Sequence, residues 1–273
     1  MGMVEAMTKK AKARTRRRSR SIQRVFIIPD VHVPFEDKVA FRAMLKALRA
    51  FRPDHLVILG DFGDFYSVSR HIKSPARSMR FITEVNQVKA RLKEVKSAAG
   101  SASCHFICGN HEDRLVKLIS DKCKEVFDLI TIPGVLGLDE IGFSYTAYRD
   151  HLILGKLCLT HDVGHAGQTA HRISLNKSGM SIGIGHTHRI GLVVEKQLMT
   201  GDTITGAAFG WLGDEAAMTE YMPKAKVKRF AVHGFGVAYL LPDGTPVITP
   251  VPIVDGQCVL EGELFDGRKR MAK

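Results

Sequence analysis

No stretch of this 273-residue chain approaches the roughly 20 consecutive apolar residues that would cross a bilayer. Its N-terminus is basic from the start and lacks the apolar run of a secretory signal. An acylation signal would need Ser or Thr at position 6, where the chain has Ala6. No CxxC pair occurs among the five cysteines, Cys104, Cys108, Cys123, Cys158 and Cys258. That odd, scattered set argues against a disulfide framework and fits a reducing compartment. Cys104 and Cys108 flank an apolar run and read as small core residues. Internal repeats are absent, and so is low complexity outside one basic block. These absences point to a soluble, cytoplasmic protein with one sizeable core and no membrane partner.

Charge is plentiful but unevenly placed. The formal net charge is +12, yet residues 9–24 carry nine Lys and Arg and no acid, leaving about +3 for everything else. A block of that kind is usually solvated and often meets polyanions. We expect a disordered basic tail over residues 1–23, a folded domain over 24–260 and a short basic C-terminal tail over 261–273. Arg14, Arg16, Arg17, Arg18 and Arg20 are candidate nucleic-acid contacts, set against a purely solubilising role.

Beyond the tail the apolar pattern alternates between strand and helix. Short β-branched runs at Arg24–Ile28, His55–Leu59 and His105–Cys108 predict strands, and helical spacing predicts helices over 37–51, 81–99 and 112–130. Strand-helix alternation implies a parallel sheet, whose strand C-termini are where sites are built. After Pro133 the chain reads as short strands divided by glycine, with one helix near 168–177. The expected completion is a second, more antiparallel sheet packed on the first.

Five short pieces follow predicted strands: Asp30-Val31-His32, Gly60-Asp61-Phe62-Gly63-Asp64, Gly109-Asn110-His111-Glu112, Thr160-His161-Asp162 and Gly185-His186-Thr187-His188. Any one of them alone is commonplace, but all five in order are not. Carboxylate, imidazole and amide without thiolate suit divalent Mn, Fe, Zn or Co. The Gly183–Gly185 run lacks the third glycine and following helix of a dinucleotide loop. His71, His105, His151, His171 and His233 have no motif around them and read as ordinary histidines.

With these pieces the chain resembles the calcineurin-like metallophosphoesterases, and among them the short stand-alone phage and bacterial members. The resemblance spans Asp30 to His188. It implies an α/β fold, a two-sheet αββα sandwich, and hydrolysis of phosphate esters by a hydroxide bridging two divalent metal ions. Residue by residue, it places Asp30, His32 and His188 on one metal, Asp61 between the two, and Asn110, His161 and His186 on the other. It makes His111 the general acid or phosphate-steering group, oriented by Asp64, with Glu112 supporting. The fourth motif departs from the usual His-Gly, and His165 lies four residues on. We take His161 because it directly follows the apolar strand.

The substrate is open between diester or nucleic acid and monoester, and Asn110, Arg70, His71 and Arg114 are candidate substrate contacts. Protein phosphatases of the superfamily have Arg after the second Asp of the second motif, and Phe65 stands there. Arginine's fork grips a terminal phosphoryl group, so its absence favours diesters, which Phe65 would tolerate or stack against. The competing readings are a scaffold that has lost its metals and a nucleic-acid-binding module that works through its tail.

Overall fold

The computed structural model describes residues 21–70, 79–218 and 230–269. The tail arginines and His71 lie outside them. In chain order the elements are β1 (Gln23–Ile28), α1 (Lys38–Phe51), β2 (His55–Leu59), α2 (Phe81–Ala99), β3 (Ser103–Ile107), α3 (Asp113–Lys122), α4 (Ile132–Leu136), α5 (Leu138–Ile141) and β4 (Phe143–Thr146). There follow β5 (Leu152–Leu154), β6 (Leu157–Thr160), α6 (Ala170–Ser178), β7 (Ser181–Ile184), β8 (Ile190–Lys196), β9 (Thr203–Phe209) and α7 (Glu215–Met218). The chain closes with β10 (Gly234–Leu240), β11 (Pro246–Pro252), β12 (Gln257–Leu260) and β13 (Glu263–Asp266).

Successive side chains of a strand leave opposite faces, and β1 shows what that demands. Phe26 and Ile28 enter one core while Val25 and Ile27 enter another, all fully buried. Such a strand must lie between two layers. On one side is α1, started by Asp37, whose carboxylate accepts the Val39 and Ala40 N–H groups at 2.8 and 2.7 Å. A cap of this type is worth about 1 kcal/mol. The helix buries Phe41, Met44, Leu45, Leu48 and Phe51, each worth roughly 1.5–3 kcal/mol of burial. On the other side, Leu157, Leu159, Ala207 and Phe209 of the second sheet meet Val25, Ile27, Val57 and Leu59.

The first sheet has the order β11-β10-β1-β2-β3-β4, and the second β5-β6-β7-β9-β8. β1 to β4 are parallel neighbours. The expected assignment of the strands after Pro133 to the second sheet is corrected by β10 and β11, and β4, a strand not expected from the sequence, also joins the first sheet. β10 pairs antiparallel with β1, Gln23 opposite Leu240. Its residues are apolar on both faces, Phe235 and Val237 toward the helices and Ala238 and Leu240 toward the second sheet. Only a position inside the first sheet covers both. The second sheet is also less antiparallel than expected, since β6, β7 and β9 run parallel.

Two boundaries differ as well. The helix expected to reach residue 130 stops at Lys122, and beyond it Leu129 is 81% exposed. The C-terminal tail expected from residue 261 instead contains β13, paired with β12. Lys46 Nζ and Arg42 Nε of α1 hold this hairpin by the carbonyls of Asp266 and Gly267, both at 2.7 Å. All five cysteines are free. No helix among the described residues is long and apolar enough to cross a membrane.

Candidate metal centre and active site

β1, β2, β3, β6 and β7 each deliver the turn that follows them to one edge of the sandwich. Asp30, His32, Asp61, His111, Glu112, His161 and His188 are all buried there. Ten non-glycine residues among those described have positive φ, and five are Asp30 (41°), His32 (57°), Asp61 (49°), His186 (62°) and His188 (55°). Left-handed backbone of this kind costs on the order of 1–3 kcal/mol per residue and gathers where function requires it. Two glycines make the approach possible. A Cβ at Gly109 would collide with the backbone and carboxylate of Asp61, and one at Gly60 with the His161 ring.

Asp30, His32 and His188 form one group of donor atoms lying within 4.8 Å of each other, and Asp61, His161 and His186 form another. His32, Asp61 and His111 make a third such group between them. Asn110 joins the second group, its Oδ1 3.1 Å from His161 Nε2.

Hydrogen-bond accounting shows what these groups require. His161 Nδ1 lies 2.8 Å from the Leu59 carbonyl, which only accepts, so the ring proton is assigned to Nδ1. The Nε2 lone pair then faces Asn110 Oδ1 at 3.1 Å and Asp61 Oδ2 at 3.3 Å. With the ring neutral, three acceptors converge there with no proton between them. His32 repeats the arrangement. Its Nδ1 faces Asp64 Oδ2 at 3.2 Å, its Nε2 faces His188 Nε2 at 3.1 Å, and that nitrogen lies 3.5 Å from Asp30 Oδ1. Buried acceptors crowded this way need a shared proton or a cation. An oxygen-and-imidazole set suits a borderline divalent ion, so the residues present fit the metal that the motifs imply.

Proton affinities follow the same geometry. Burial opposes charge on His161, but Asp61 and Asp30 outweigh it and push the imidazole up to about 10. Burial would raise Asp64, yet His111 and His32 hold it well below the usual carboxylate range. Asp30 is pushed up to about 6 by burial and then by Asp61, against His161 and His32. Glu112 rises to about 7 through burial and Asp61. Burial works against charge on His111, and Asp61 and Asp64 raise it nonetheless. Cations bound here would take the place of protons.

Surrounding side chains fix the ligands. Glu112 accepts the N–H groups of Gly63, Gly109 and Asp61 at 2.9, 2.9 and 3.1 Å, tying the second motif to the third. Asp64 meets His32 Nδ1 at 3.2 Å and His111 Nδ1 at 3.3 Å. Arg114 donates to the Asp64 carbonyl at 2.9 Å and stands 3.0 Å from His111 Nε2. Among the other candidate substrate contacts, Arg70 is turned to Asp121 at 3.2 Å on the surface.

Phe65 requires a correction. It does not face a substrate, because its ring is 1% exposed in the core and lies 5.7 Å from Phe81. Its φ of 53° turns the side chain inward under α2. One residue escaped the sequence reading altogether. Trp211, fully buried, stacks on His188 (4.7 Å, 16°), stands edge-on to His32 and is backed by His233 at 5.8 Å. It follows β9, which carries no ligand, and no motif marks it.

The family model described as calcineurin-like phosphoesterase matches residues 23–189 of this chain. The chain is 26% identical over 185 residues to the Gene 54 protein of Mycobacterium phage D29, covering 62% of this chain and 71% of that one. It is similar to the same extent, over 184 residues, to the Gene 54 protein of Mycobacterium phage L5. Among solved structures it is similar to a single mutant of Vps29 from Entamoeba histolytica (16% identity, TM-score 0.44, 89% of this chain and 98% of that one). It is also similar to YfcE, a phosphoesterase from E. coli (16% identity, TM-score 0.37, 83% and 98%).

Proposed function

From the premise that this chain belongs to the calcineurin-like phosphoesterase family, and is therefore a metal-dependent phosphoric ester hydrolase, we propose that it holds two divalent ions and acts on phosphodiesters of the nucleotide or nucleic-acid kind. Asp30, His32 and His188 hold one ion, Asn110, His161 and His186 the other, and Asp61 serves both. The observation that carries the pair is two sets of converging acceptors, Asp30, His32 and His188 in one and Asp61, His161 and His186 in the other, with Asp61 also grouped with His32 of the first. Bound there, divalent ions supply Lewis acidity to a phosphate and to an attacking water.

The chain's own residues then do the rest. Asp64 accepts from His111 Nδ1, which fixes the ring and leaves Nε2 as the nitrogen that faces Asp61, 3.7 Å away. In the structure that nitrogen accepts an Arg114 N–H at 3.0 Å, so His111 carries a proton to the leaving oxygen only once the substrate draws Arg114 away from it. Arg114 also donates to the Asp64 carbonyl at 2.9 Å, which keeps part of its charge committed. Position 65, whose ring is buried in the core, supplies no phosphoryl clamp. A monoester near neutral pH carries close to two negative charges, and a diester carries one. The diester therefore loses less from the missing clamp.

The test compares kcat/KM for bis-p-nitrophenyl phosphate with that for p-nitrophenyl phosphate under one metal and pH. We expect the diester to be preferred. A clear preference for the monoester, with rapid dephosphorylation of a phosphopeptide, would replace this reading by a phosphatase. The tail arginines Arg14, Arg16, Arg17, Arg18 and Arg20 are assigned to nucleic-acid contact within the same proposal. Deleting residues 1–22 should then flatten the salt dependence of DNA binding by about 0.9 per lost phosphate contact.

A further inference from the structure

The outer face of the second sheet carries a cavity of about 650 Å³ beside α6. Alternation along β6 separates it from the metal centre. Leu157 and Leu159 point between the sheets, as His161 does one step beyond the strand, whereas Cys158 and the cavity-lining Thr160 and Asp162 take the other face. Its apolar wall includes Cys158, Met180 and Ile182, with Ile153 at the side. Arg149, His151 and Lys177, all exposed, also line it, and Arg149 and Lys177 mark its mouth as cationic.

Asp162 is the polar group inside. It is 5% exposed, and its Oδ1 accepts the Gly164 N–H at 2.7 Å. Tyr148 stands beside the same carboxylate, yet no protein donor reaches the buried Oδ2. A buried carboxylate oxygen without a donor is costly, commonly by about 1–3 kcal/mol. A matching ligand brings a hydrogen-bond donor inward, a flat apolar body for the wall and an anion for the mouth.

We propose that this cavity is a nucleotide site distinct from the metal-ligand cluster, with a base N–H on Asp162 Oδ2 and the phosphate toward Arg149 and Lys177. A base offers ring or exocyclic N–H groups on a planar apolar frame, and the volume lies within the roughly 300–1,000 Å³ usual for small-molecule sites. An inorganic anion alone would use the mouth but leave Asp162 unanswered.

The experiment is calorimetric titration of the full chain in EDTA with guanosine 5′-monophosphate, guanosine and inorganic phosphate. Chelation removes metal-held phosphate from the clustered carboxylates, and two cavity variants assign any remaining heat to the cavity, so the result is independent of the hydrolytic reading. We expect one GMP per chain, with guanosine and phosphate each weaker by at least about tenfold, the worth of one charge-assisted contact. The exposed double variant R149E/K177E should weaken GMP by a similar factor and leave guanosine unchanged. Filling the cavity by Met180→Trp, with circular dichroism confirming the fold, should weaken both. No heat with GMP, phosphate binding as tightly as GMP, or GMP affinity unchanged in both variants would each overturn the proposal.

Discussion

Two pairs of histidines in this molecule lie almost equally close and behave differently. At the C-terminal ends of the strands, His32 and His188 bring their Nε2 atoms to 3.1 Å. At the opposite end of the first sheet, His55 Nδ1 and His105 Nε2 are 3.3 Å apart with their rings stacked at 29°. Around the first pair are the buried carboxylates of Asp30 and Asp64 and a left-handed backbone. Around the second are an exposed Ser144, bonded to His105 at 2.8 Å, and ordinary strand geometry. Burial lowers both of the latter imidazoles, and Asp54 offsets this only in part at His55. Proximity of imidazoles does not make a metal centre. Buried carboxylates beside the imidazoles are what fits a divalent ion.

Breaking the carboxylate side should have the largest effect. Asp61→Ala removes the carboxylate that belongs to one acceptor cluster and reaches His32 of the other, so metal content measured by elemental analysis should collapse and turnover should fall to background. Next is His111→Ala, expected to lower kcat by about 10²–10⁴-fold, the range of general acid–base help, while metal content stays near wild type. If it loses metal as readily as Asp61→Ala, then His111 is a ligand and not the proton donor.

Trp211→Leu should have a smaller effect, weakening metal affinity by roughly 10–100-fold, as loss of a ligand's support commonly does. Trp211 is the only tryptophan in the chain, so its fluorescence in the wild-type protein should change as metal is added. A flat titration with metal bound would separate the stack from the ligands.

The smallest effect belongs to the second histidine pair. Replacing His55 and His105 with Gln should leave metal content and turnover unchanged. Their folded-state pKa values lie below 6.5, so the unfolded chain binds those protons more readily. Stability from this source is complete above about pH 6.5 and is lost as pH falls below it. The double variant should therefore lose less stability than wild type between neutral pH and pH 5, measured by urea unfolding.

What the sequence made legible is what short-range chemistry controls. Asp30, Asp61, Asn110, His161 and His186 each stand just past an apolar strand, and the motif order is enough to bring them together. Asp37 and Gly100 marked the ends of α1 and α2 for similarly local reasons. The sheet to which β10 belongs was not readable, because its Gly-Phe-Gly-Val-Ala run is apolar in either place and only pairing with Gln23–Ile27 decides. Phe65 was misread because a single backbone angle turns it from solvent into the core. Trp211 was invisible because its partner His188 is 23 residues away in the chain and the contact is an aromatic stack without sequence signature. Arg114, expected to meet substrate, is drawn to Asp64 and His111 by geometry that spacing alone does not carry.

The most direct measurement is anomalous diffraction from crystals of the full chain grown with Mn²⁺. The account predicts two anomalous peaks per chain, one touched by Asp30, His32, His188 and Asp61 and the other by Asp61, Asn110, His161 and His186, with none at His55 and His105. A single peak, a site that leaves out Asp61, or density at the distal histidine pair would contradict it.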